Sequence, residues 1–580
     1  MNSTNSTENI IEQTRGHLSN SVEIFDKEIE PEEKHRVSSD GLSRLLQNLQ
    51  NGTGEVVRKN ERTLKICLYV ILNVVFVGYF AWATHYFVNF SSDSLASTTC
   101  TGYGLLMIIF ILVYFMVAYY LIIKPFLLPI VIDGVDGKQF SKIFSNRAVK
   151  ATFYTVIFVA IGVYLGFDTR DNRRRLVPLL GLLVFLVFGF LFCKHPRHIK
   201  WRPVFWGLIL QFGFGLLTIR WDVGRNIFDC LGNKTSKFLS YASNGSAFVY
   251  GEFLVYREAV FAFQALSTIY FLGFIINILY HYGIMQKAIV TLGEFLQAVM
   301  GTAICESVNS AANIFLGMSE APLLLKPYLE DLTVSEIHAI MTSGFATVSG
   351  TVLAAYISFG AEASHLITAS VMSAPAALCY SKLTYPETEE VIATKESIQL
   401  LKSEYSSALD AASKGAAMAL ELVLGITANL IAFISLIFFL NGILSWLGFL
   451  VGYDGDSVWT IEQAVGYVFM PISFIMGVPW DESEMVGKLI GIKTVVNEFA
   501  AFKEMGKMVL TKRTKMIATY AICGFSNPGS IGIMISALSV LMPKKRSAIT
   551  STVFRAFIAG EIVCFMTACI AALLIPEDSL

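Results

Sequence analysis

Residues 301–325 read GTAICESVNSAANIFLGMSEAPLLL. The stretch lies deep in an apolar chain, yet it is a poor membrane span. Glu306, Asn309, Asn313, Ser319 and Glu320 interrupt its small and apolar residues. A carboxylate at mid-bilayer costs at least ~2.5–3.5 kcal/mol. Two carboxylates with two asparagines need a purpose there. The segment is read as entering the membrane, turning, and holding a polar solute and a cation.

The rest of the chain supplies the membrane context. Its 580 residues are 54% apolar and only 15% charged, with a mean hydropathy of +0.58. That combination indicates a polytopic α-helical membrane protein. A net charge of −1 offers nothing to a nucleic acid. The nine cysteines show no CxxC or Cys/His metal spacing. Cys100 and Cys230 both fall in segments placed outside, so a disulfide is open to them, with free thiols the default reading.

No signal peptide is evident, and residues 1–57 are polar and read as disordered. Arg58, Lys59, Arg62 and Lys65 then precede the first apolar run, which places the N-terminus inside. Spans are read at 64–88, 103–132, 151–167, 176–193, 203–220, 260–284, 336–360, 363–383, 419–450, 514–540 and 551–575. These eleven put the C-terminus outside. Two further apolar stretches, 296–328 and 462–505, carry polar, Gly and Pro interruptions and read as re-entrant hairpins. Residues 221–250 read as an amphipathic segment along the outer interface.

Loop charges mostly agree. Lys138, Lys142, Arg147 and Lys150 fall inside, as do Lys194, His195, Arg197, Lys200, Lys544, Lys545, Arg546 and the charged loop 382–414. Arg170, Arg173, Arg174 and Arg175 fall outside, against the rule, and are read as a local violation. Sequons at Asn89, Asn233 and Asn244 fall outside and are expected glycosylation sites. Those at Asn2, Asn5 and Asn51 lie on the cytoplasmic tail.

The organisation repeats. Glu320 closes one hairpin, and about 30 residues later a span is broken at Thr347–Gly350. Glu498 closes the other, and about 31 residues later a span is broken at Ser526–Ser530. Three spans lie between the copies, so the second copy is inverted. Inverted repeats with discontinuous helices mark secondary transporters, whose solute and ion sites lie at the repeat interface.

Each polar cluster has two readings. Asn313 and Ser319, with carbonyls of Leu316, Thr347 and Val348, offer the oxygens that a sodium ion wants; alternatively they satisfy the hairpin's own backbone. Glu320 and Glu498 accept hydrogen bonds from a polar solute, or pair with a buried base such as Lys326 or Lys493. The solute reading is preferred because basic residues are scarce in the spans. Glu306 is read only as a hairpin lock. Phe525 beside Asn527 and Ser530 suits a ligand with a flat apolar face and hydroxyls, or is ordinary core. HExxH, GxSxG, GxxxxGK[ST] and GxGxxG are absent, which argues against an ATP-driven pump and a metalloprotease and leaves open an intramembrane enzyme using the two glutamates.

ANIFLGMSEAPLL (312–324), SEIHAIMTSGFATVSGTVLAAYISFG (335–360), ITASVMSAPAAL (367–378) with YPETEE (385–390), TVVNEFAAF (494–502) and CGFSNPGSIGI (523–533) together resemble the concentrative nucleoside transporters, which are sodium-coupled symporters. WRPVFWGLILQF (201–212) matches as well, and the resemblance covers roughly 176–575. It implies an all-α polytopic fold of about eleven transmembrane helices plus two re-entrant hairpins, working as an elevator in a homotrimer of the plasma membrane. The implied nucleobase contacts are Gly317, Met318, Ser319, Glu320, Thr351 and Val352. The implied ribose contacts are Glu498, Phe525, Asn527 and Ser530. Sodium, the coupling ion, falls to Asn313, Leu316, Ser319, Thr347 and Val348; no other cofactor is implied. Many members have Gln where Met318 stands. The Gly-Met and Thr-Val pairs resemble purine-preferring animal members, which implies purine nucleosides and uridine as solutes and one sodium per nucleoside. Proton coupling and broad specificity are the alternatives. Pro528 after Asn527 departs from the family pattern, and its effect is left open.

The expected organisation is a cytoplasmic tail at 1–63, three N-terminal spans within 64–175, and spans with interfacial and scaffold helices at 176–295. The first hairpin and broken helix follow at 296–383, a cytoplasmic loop at 384–418, a scaffold helix at 419–461, and the second hairpin, broken helix and last span at 462–580.

Overall fold

The computed structural model describes residues 61–91, 99–118, 147–170, 172–258, 260–392, 405–453 and 460–575. The expected tail up to residue 60, with the 58–59 end of its basic cluster, Lys138, Lys142 and residues 393–404 of the charged loop lie outside the described residues. The chain divides into two compact units at Gly137/Lys138.

In the first unit, α1 (Glu61–Phe90) packs on α2 (Tyr103–Ala118). Their contact is aromatic: Phe80 stacks on Phe110 at 4.0 Å and Phe87 on Tyr103 at 4.6 Å. Most of α1's apolar side chains are exposed, Trp82 and Val74 among them. An apolar surface of that extent belongs against hydrocarbon.

The second unit opens with α3 (Arg147–Asp168), α4 (Val177–Leu191) and α5 (Trp201–Gly215). α6 (Asp222–Tyr250) is one continuous helix over the expected amphipathic segment. Next come α7 (Thr268–His281), α8 (Ile284–Met300) and α9 (Ile304–Ala312). Gly301, at φ 73°, ends α8. The first hairpin therefore begins after Gly301, not at residue 296, because α8 keeps its helical hydrogen bonds to Met300. The chain leaves α9 at Asn313 and returns through a 3-10 stretch, Ala321–Asp331.

The expected break in 336–360 is present. α10 (Val334–Ala346) stops, a short turn spans Gly350–Val352, and α11 (Leu353–Ser358) resumes. α12 (Ala363–Thr384) is unbroken despite Pro375. α13 (Ala408–Leu450) has 43 residues and starts well before the expected residue 419. At 1.5 Å per residue it measures about 64 Å, twice a hydrocarbon core. The second hairpin region forms three helices, α14 (Ile461–Ile475), α15 (Trp480–Val495) and α16 (Glu498–Met505), with its tip at Val496 and Asn497. α17 (Lys512–Ile522) and α18 (Pro528–Leu541) are the two halves of the second broken helix, and α19 (Arg546–Leu574) closes the chain.

All described secondary structure is helical. Eight helices among the described residues are long and apolar enough to cross a membrane. Five shorter apolar helices accompany them among the described residues: Tyr103–Ala118, Tyr154–Asp168, Ile434–Leu450, Gln463–Ile475 and Pro528–Leu541. α10, α12 and α19 make much of the core, and most side chains on them are buried. Gly273 of α7 and Gly415 of α13 touch backbone to backbone, so a Cβ on Gly415 would sit 2.3 Å from the Gly273 carbonyl oxygen.

One smaller expectation changes. Seven of the nine cysteines are free thiols, but Cys100 and Cys230 are disulfide-bonded, against the free-thiol reading. The three sequons expected outside sit on helices, Asn89 in α1 and Asn233 and Asn244 in α6, with all three side chains exposed.

Candidate functional site

Four interruptions of helix meet at one place. Each is shaped by a residue that stops or starts a helix. Asn313 ends α9. Ser349 caps the turn inside the first broken helix by accepting from the Thr351 N–H at 3.2 Å. Asn497 caps α16 by accepting from the Ala500 N–H at 3.0 Å. Asn527 caps α18 by accepting from the Ser530 N–H at 2.8 Å. Side-chain caps of this kind satisfy otherwise orphaned N–H groups and are worth roughly 1 kcal/mol each. Pro528 is the first helical residue of α18, where its missing N–H costs nothing and its fixed φ suits the helix.

Between these ends lies a partly open cavity. The first hairpin lines it with Gly317, Met318, Ser319 and Glu320, and the second with Val496, Asn497, Glu498 and Phe499. Ser349 and Val352 come from one break, and Phe525, Asn527 and Ser530 from the other. Leu422 and Ile426 of α13 close the apolar side. Its mixed walls suit a small organic solute with a few polar groups.

Glu498 is buried, 2% exposed, and oriented from both sides. Its Oε1 accepts from the Tyr356 hydroxyl at 3.1 Å, and its Oε2 from Asn527 Nδ2 at 2.9 Å. As the first residue of α16, it also sits at the positive end of that helix. Glu320 is partly exposed, and its Oε2 accepts from the Gly317 N–H at 3.2 Å. Neither carboxylate is ion-paired among the described residues. The bases that could have neutralised them go elsewhere: Lys493 Nζ lies 2.5 Å from Glu561 Oε2, and Lys326 is exposed. Both carboxylates keep lone pairs for a ligand's O–H or N–H groups.

A second polar cluster sits behind the first hairpin tip. Asn313 is 1% exposed; its Nδ2 donates to Ser343 Oγ at 3.0 Å, and its Oδ1 has no hydrogen-bond partner. A buried carbonyl oxygen left so is costly unless something electropositive meets it. Thr347 and Val348 lie at the end of α10, and both are buried. The Thr347 hydroxyl donates to the Ser343 carbonyl at 2.9 Å. The Phe315 carbonyl accepts from the Gly350 N–H at 3.1 Å, which pins the tip holding Leu316 and Ser319 against the break. This oxygen-rich set is hard-cation chemistry. Among the described residues no group of His, Cys, Asp and Glu is arranged to hold a transition metal.

Of the residues expected in the site, Gly317, Met318, Ser319, Glu320, Val352, Glu498, Phe525, Asn527 and Ser530 line one cavity. Thr351 does not line it; its hydroxyl lies 2.6 Å from Ser349 Oγ, and Ser349 lines the wall instead. Sequence reasoning missed Tyr356, Ser343, Asn497, Leu422 and Ile426. Only Asn497, directly before Glu498, carried a sequence signal, the start of a helix. Glu306, read as a hairpin lock, lies in the first turn of α9. Its Oε1 accepts from the Ala303 N–H at 2.8 Å, and Lys382 Nζ lies 2.7 Å from its Oε2, close enough for an ion pair though off the hydrogen-bond direction.

Three family models match consecutive parts of the second unit. The "Na+ dependent nucleoside transporter N-terminus" covers residues 180–253, "Nucleoside recognition" 262–363, and the "Na+ dependent nucleoside transporter C-terminus" 365–572. The chain belongs to the sodium-dependent nucleoside transporter family. Solute carrier family 28 member 3 of Eptatretus stoutii is 40% identical over 542 residues, covering 89% of this chain and 76% of that protein. Sodium/nucleoside cotransporter 2 of Rattus norvegicus is 43% identical over 444 residues, covering 73% of this chain and 67% of its own length. The solved structure of CNTnw in an inward-facing substrate-bound state superposes with a TM-score of 0.65 at 35% identity, over 69% of this chain and 97% of that one. Members of this sodium-dependent nucleoside transporter family are transporters, not enzymes, and the helical bundle described above fits that membership.

Proposed function

We propose that this protein carries nucleosides into the cell by sodium-coupled symport, with a preference for purine nucleosides and uridine. One arrangement carries the reading: two carboxylates, Glu320 and Glu498, face the same cavity from opposite hairpins without an ion-pair partner among the described residues. Nucleosides bring the complementary donors, ribose hydroxyls at one end and base N–H groups at the other. Glu498, Asn527 and Ser530 take the ribose, with Phe525 beside sugar and base. Gly317, Met318, Ser319, Glu320, Val352 and the neighbouring Thr351 form the base end. Met318 offers a soft apolar contact to a purine ring where an amide would offer hydrogen bonds.

Sodium binds at the unpartnered Asn313 Oδ1, with Ser319 and Thr347 and the carbonyls of Leu316 and Val348. In binding it fixes the Asn313–Glu320 tip and so completes the base end. This order makes solute binding depend on the ion, which is what coupling requires. One charge crossing 100 mV contributes ~2.3 kcal/mol. At a tenfold effect per 1.4 kcal/mol, that supports about a forty-fold gradient before any sodium gradient is added. The reading takes one sodium per nucleoside.

The two hairpins and broken helices move as an elevator against a scaffold of α7 and α13 in a homotrimer. The glycine contact between Gly273 and Gly415 supports a rigid scaffold pair, since small residues let helix backbones approach closely in lipid. Leu422 and Ile426 give the cavity an apolar wall along which such a body can slide. The protein is placed in the plasma membrane, N-terminus inside and C-terminus outside, with eleven spans, the domain limits set out above, and glycans on Asn89, Asn233 and Asn244.

Uptake of radiolabelled adenosine, inosine, uridine and cytidine into proteoliposomes tests the reading. Uptake should collapse when choline replaces sodium at fixed pH, and inosine should compete better than cytidine. Uptake that persists in choline and follows a proton gradient would replace sodium with proton coupling. A preference for cytidine would overturn the assignment of Met318.

A further inference from the structure

A second cavity, of about 470 Å³, lies on the flank of the second unit between α3, α4, α5 and α19. Every side chain lining it is Leu, Ile or Phe; Ile161, Leu165, Leu183, Leu208, Phe212 and Leu573 are representative. A cavity lined this way excludes water, and leaving it empty forfeits dispersion contacts along its whole wall. Hydrocarbon is the filling a bilayer supplies.

One end of this cavity is charged. Asp168, the last residue of α3, accepts from Arg175 at 2.8 Å and also pairs with Arg220. Arg175 is buried and donates in addition to the Leu573 carbonyl at 2.8 Å, which ties the mouth to α19. The short turn Arg173–Leu176 leads straight into α4, whose Leu179 already lines the cavity. Leu165, on the last turn of α3, lies about 5 Å along the helix from that end. Arg170, Arg173 and Arg174 flank the same α3–α4 turn, exposed and without a carboxylate partner among the described residues. They are three of the four arginines that the charge rule places on the wrong side of the membrane.

The geometry points to a phospholipid site: an acyl chain in the apolar cavity and its phosphodiester on Arg170, Arg173 and Arg174. Guanidinium groups match phosphate oxygens in charge and in fork geometry. Basic rims between transmembrane helices take lipid headgroups for this reason. Asp168, with buried Arg175 and half-buried Arg220, holds the α3–α4 turn in place, and the three exposed arginines supply its charge. The site is separate from the nucleoside cavity and shares no lining residue with it.

The test uses the full chain, purified in detergent after incubation with vesicles of palmitoyl-oleoyl phosphatidylglycerol and washed until bulk lipid is gone. Retained phospholipid per chain is then measured by mass spectrometry. The wild type should retain phospholipid in near-stoichiometric amount. The triple variant R170Q/R173Q/R174Q should lose about tenfold, as expected when charge-assisted contacts go. Leu183→Trp, which fills the cavity, should lose as much, and Ile209→Trp serves if the first does not give a single size-exclusion peak. Wild type without retained phospholipid overturns the proposal. Full retention by the arginine variant overturns the headgroup assignment, and full retention by a filled variant overturns the acyl-chain assignment.

Discussion

Asn527 holds Glu498 and starts α18 with the same side chain. Its Nδ2 donates to Glu498 Oε2 at 2.9 Å while its Oδ1 accepts from the Ser530 N–H at 2.8 Å. The second broken helix and the second hairpin are thus fastened by one amide, and the orientation of the carboxylate depends on a helix cap. Asn527→Asp keeps an oxygen for the cap but sets a second carboxylate against Glu498. It should retain most thermal stability and lose nucleoside uptake. Asn527→Ala should lose uptake and also about 1 kcal/mol of cap stability. A melting curve beside an uptake assay separates the two variants.

Glu498→Ala should abolish uptake of purine and pyrimidine nucleosides alike, because the ribose is common to them. Retained uptake of any nucleoside would sink the ribose assignment. Tyr356→Phe removes one hydrogen bond to the same carboxylate, worth about 1 kcal/mol, and should weaken apparent nucleoside affinity about fivefold.

Asn313→Ala removes the unpartnered oxygen behind the first hairpin. The sodium concentration for half-maximal uptake should rise by about tenfold or more, the cost of losing a contact to a charged group. The ranking of nucleosides in competition should not change. A changed ranking with normal sodium activation would put Asn313 in the base site instead.

Met318→Gln restores an amide at the base end. Competition by cytidine should strengthen relative to inosine, with sodium activation unaltered. An unchanged ratio would show that Met318 does not face the base.

Lys382→Met strands a buried carboxylate, because Lys382 Nζ pairs with Glu306 at 2.7 Å and Glu387 at 3.3 Å. Breaking such a pair costs about 3–5 kcal/mol. The variant should melt well below the wild type, and adding Glu306→Gln should recover part of the loss. Equal melting temperatures would mean that the pair does not lock the hairpin.

Much of the site was legible because its residues break rules that a membrane enforces. A carboxylate or an asparagine inside an apolar run is expensive, so Asn313, Glu320 and Glu498 stand out without any coordinates. The chain breaks were legible for a related reason, since Thr347–Gly350 and Ser526–Ser530 lack the residues that continue a helix. Tyr356, Ser343, Leu422 and Ile426 were not legible. A tyrosine, a serine or a leucine in a transmembrane helix violates nothing, and its part in the site depends on which neighbour it reaches. Pro528 shows the converse: odd beside the family pattern, it is an ordinary first helical residue once Asn527 is seen as the cap.

Sequence alone determined that this protein is a helical membrane protein with two polar hairpins and two broken helices. Local composition is sufficient for that, because hydropathy and helix breaks are properties of consecutive residues. Tertiary structure decided that Glu320 and Glu498 share one cavity, that Lys493 turns to Glu561 instead of Glu498, and that Lys382 closes on Glu306. Pairings between residues tens or hundreds of positions apart are set by packing of the whole bundle. A charge pattern read along the chain cannot choose among the partners that packing makes available.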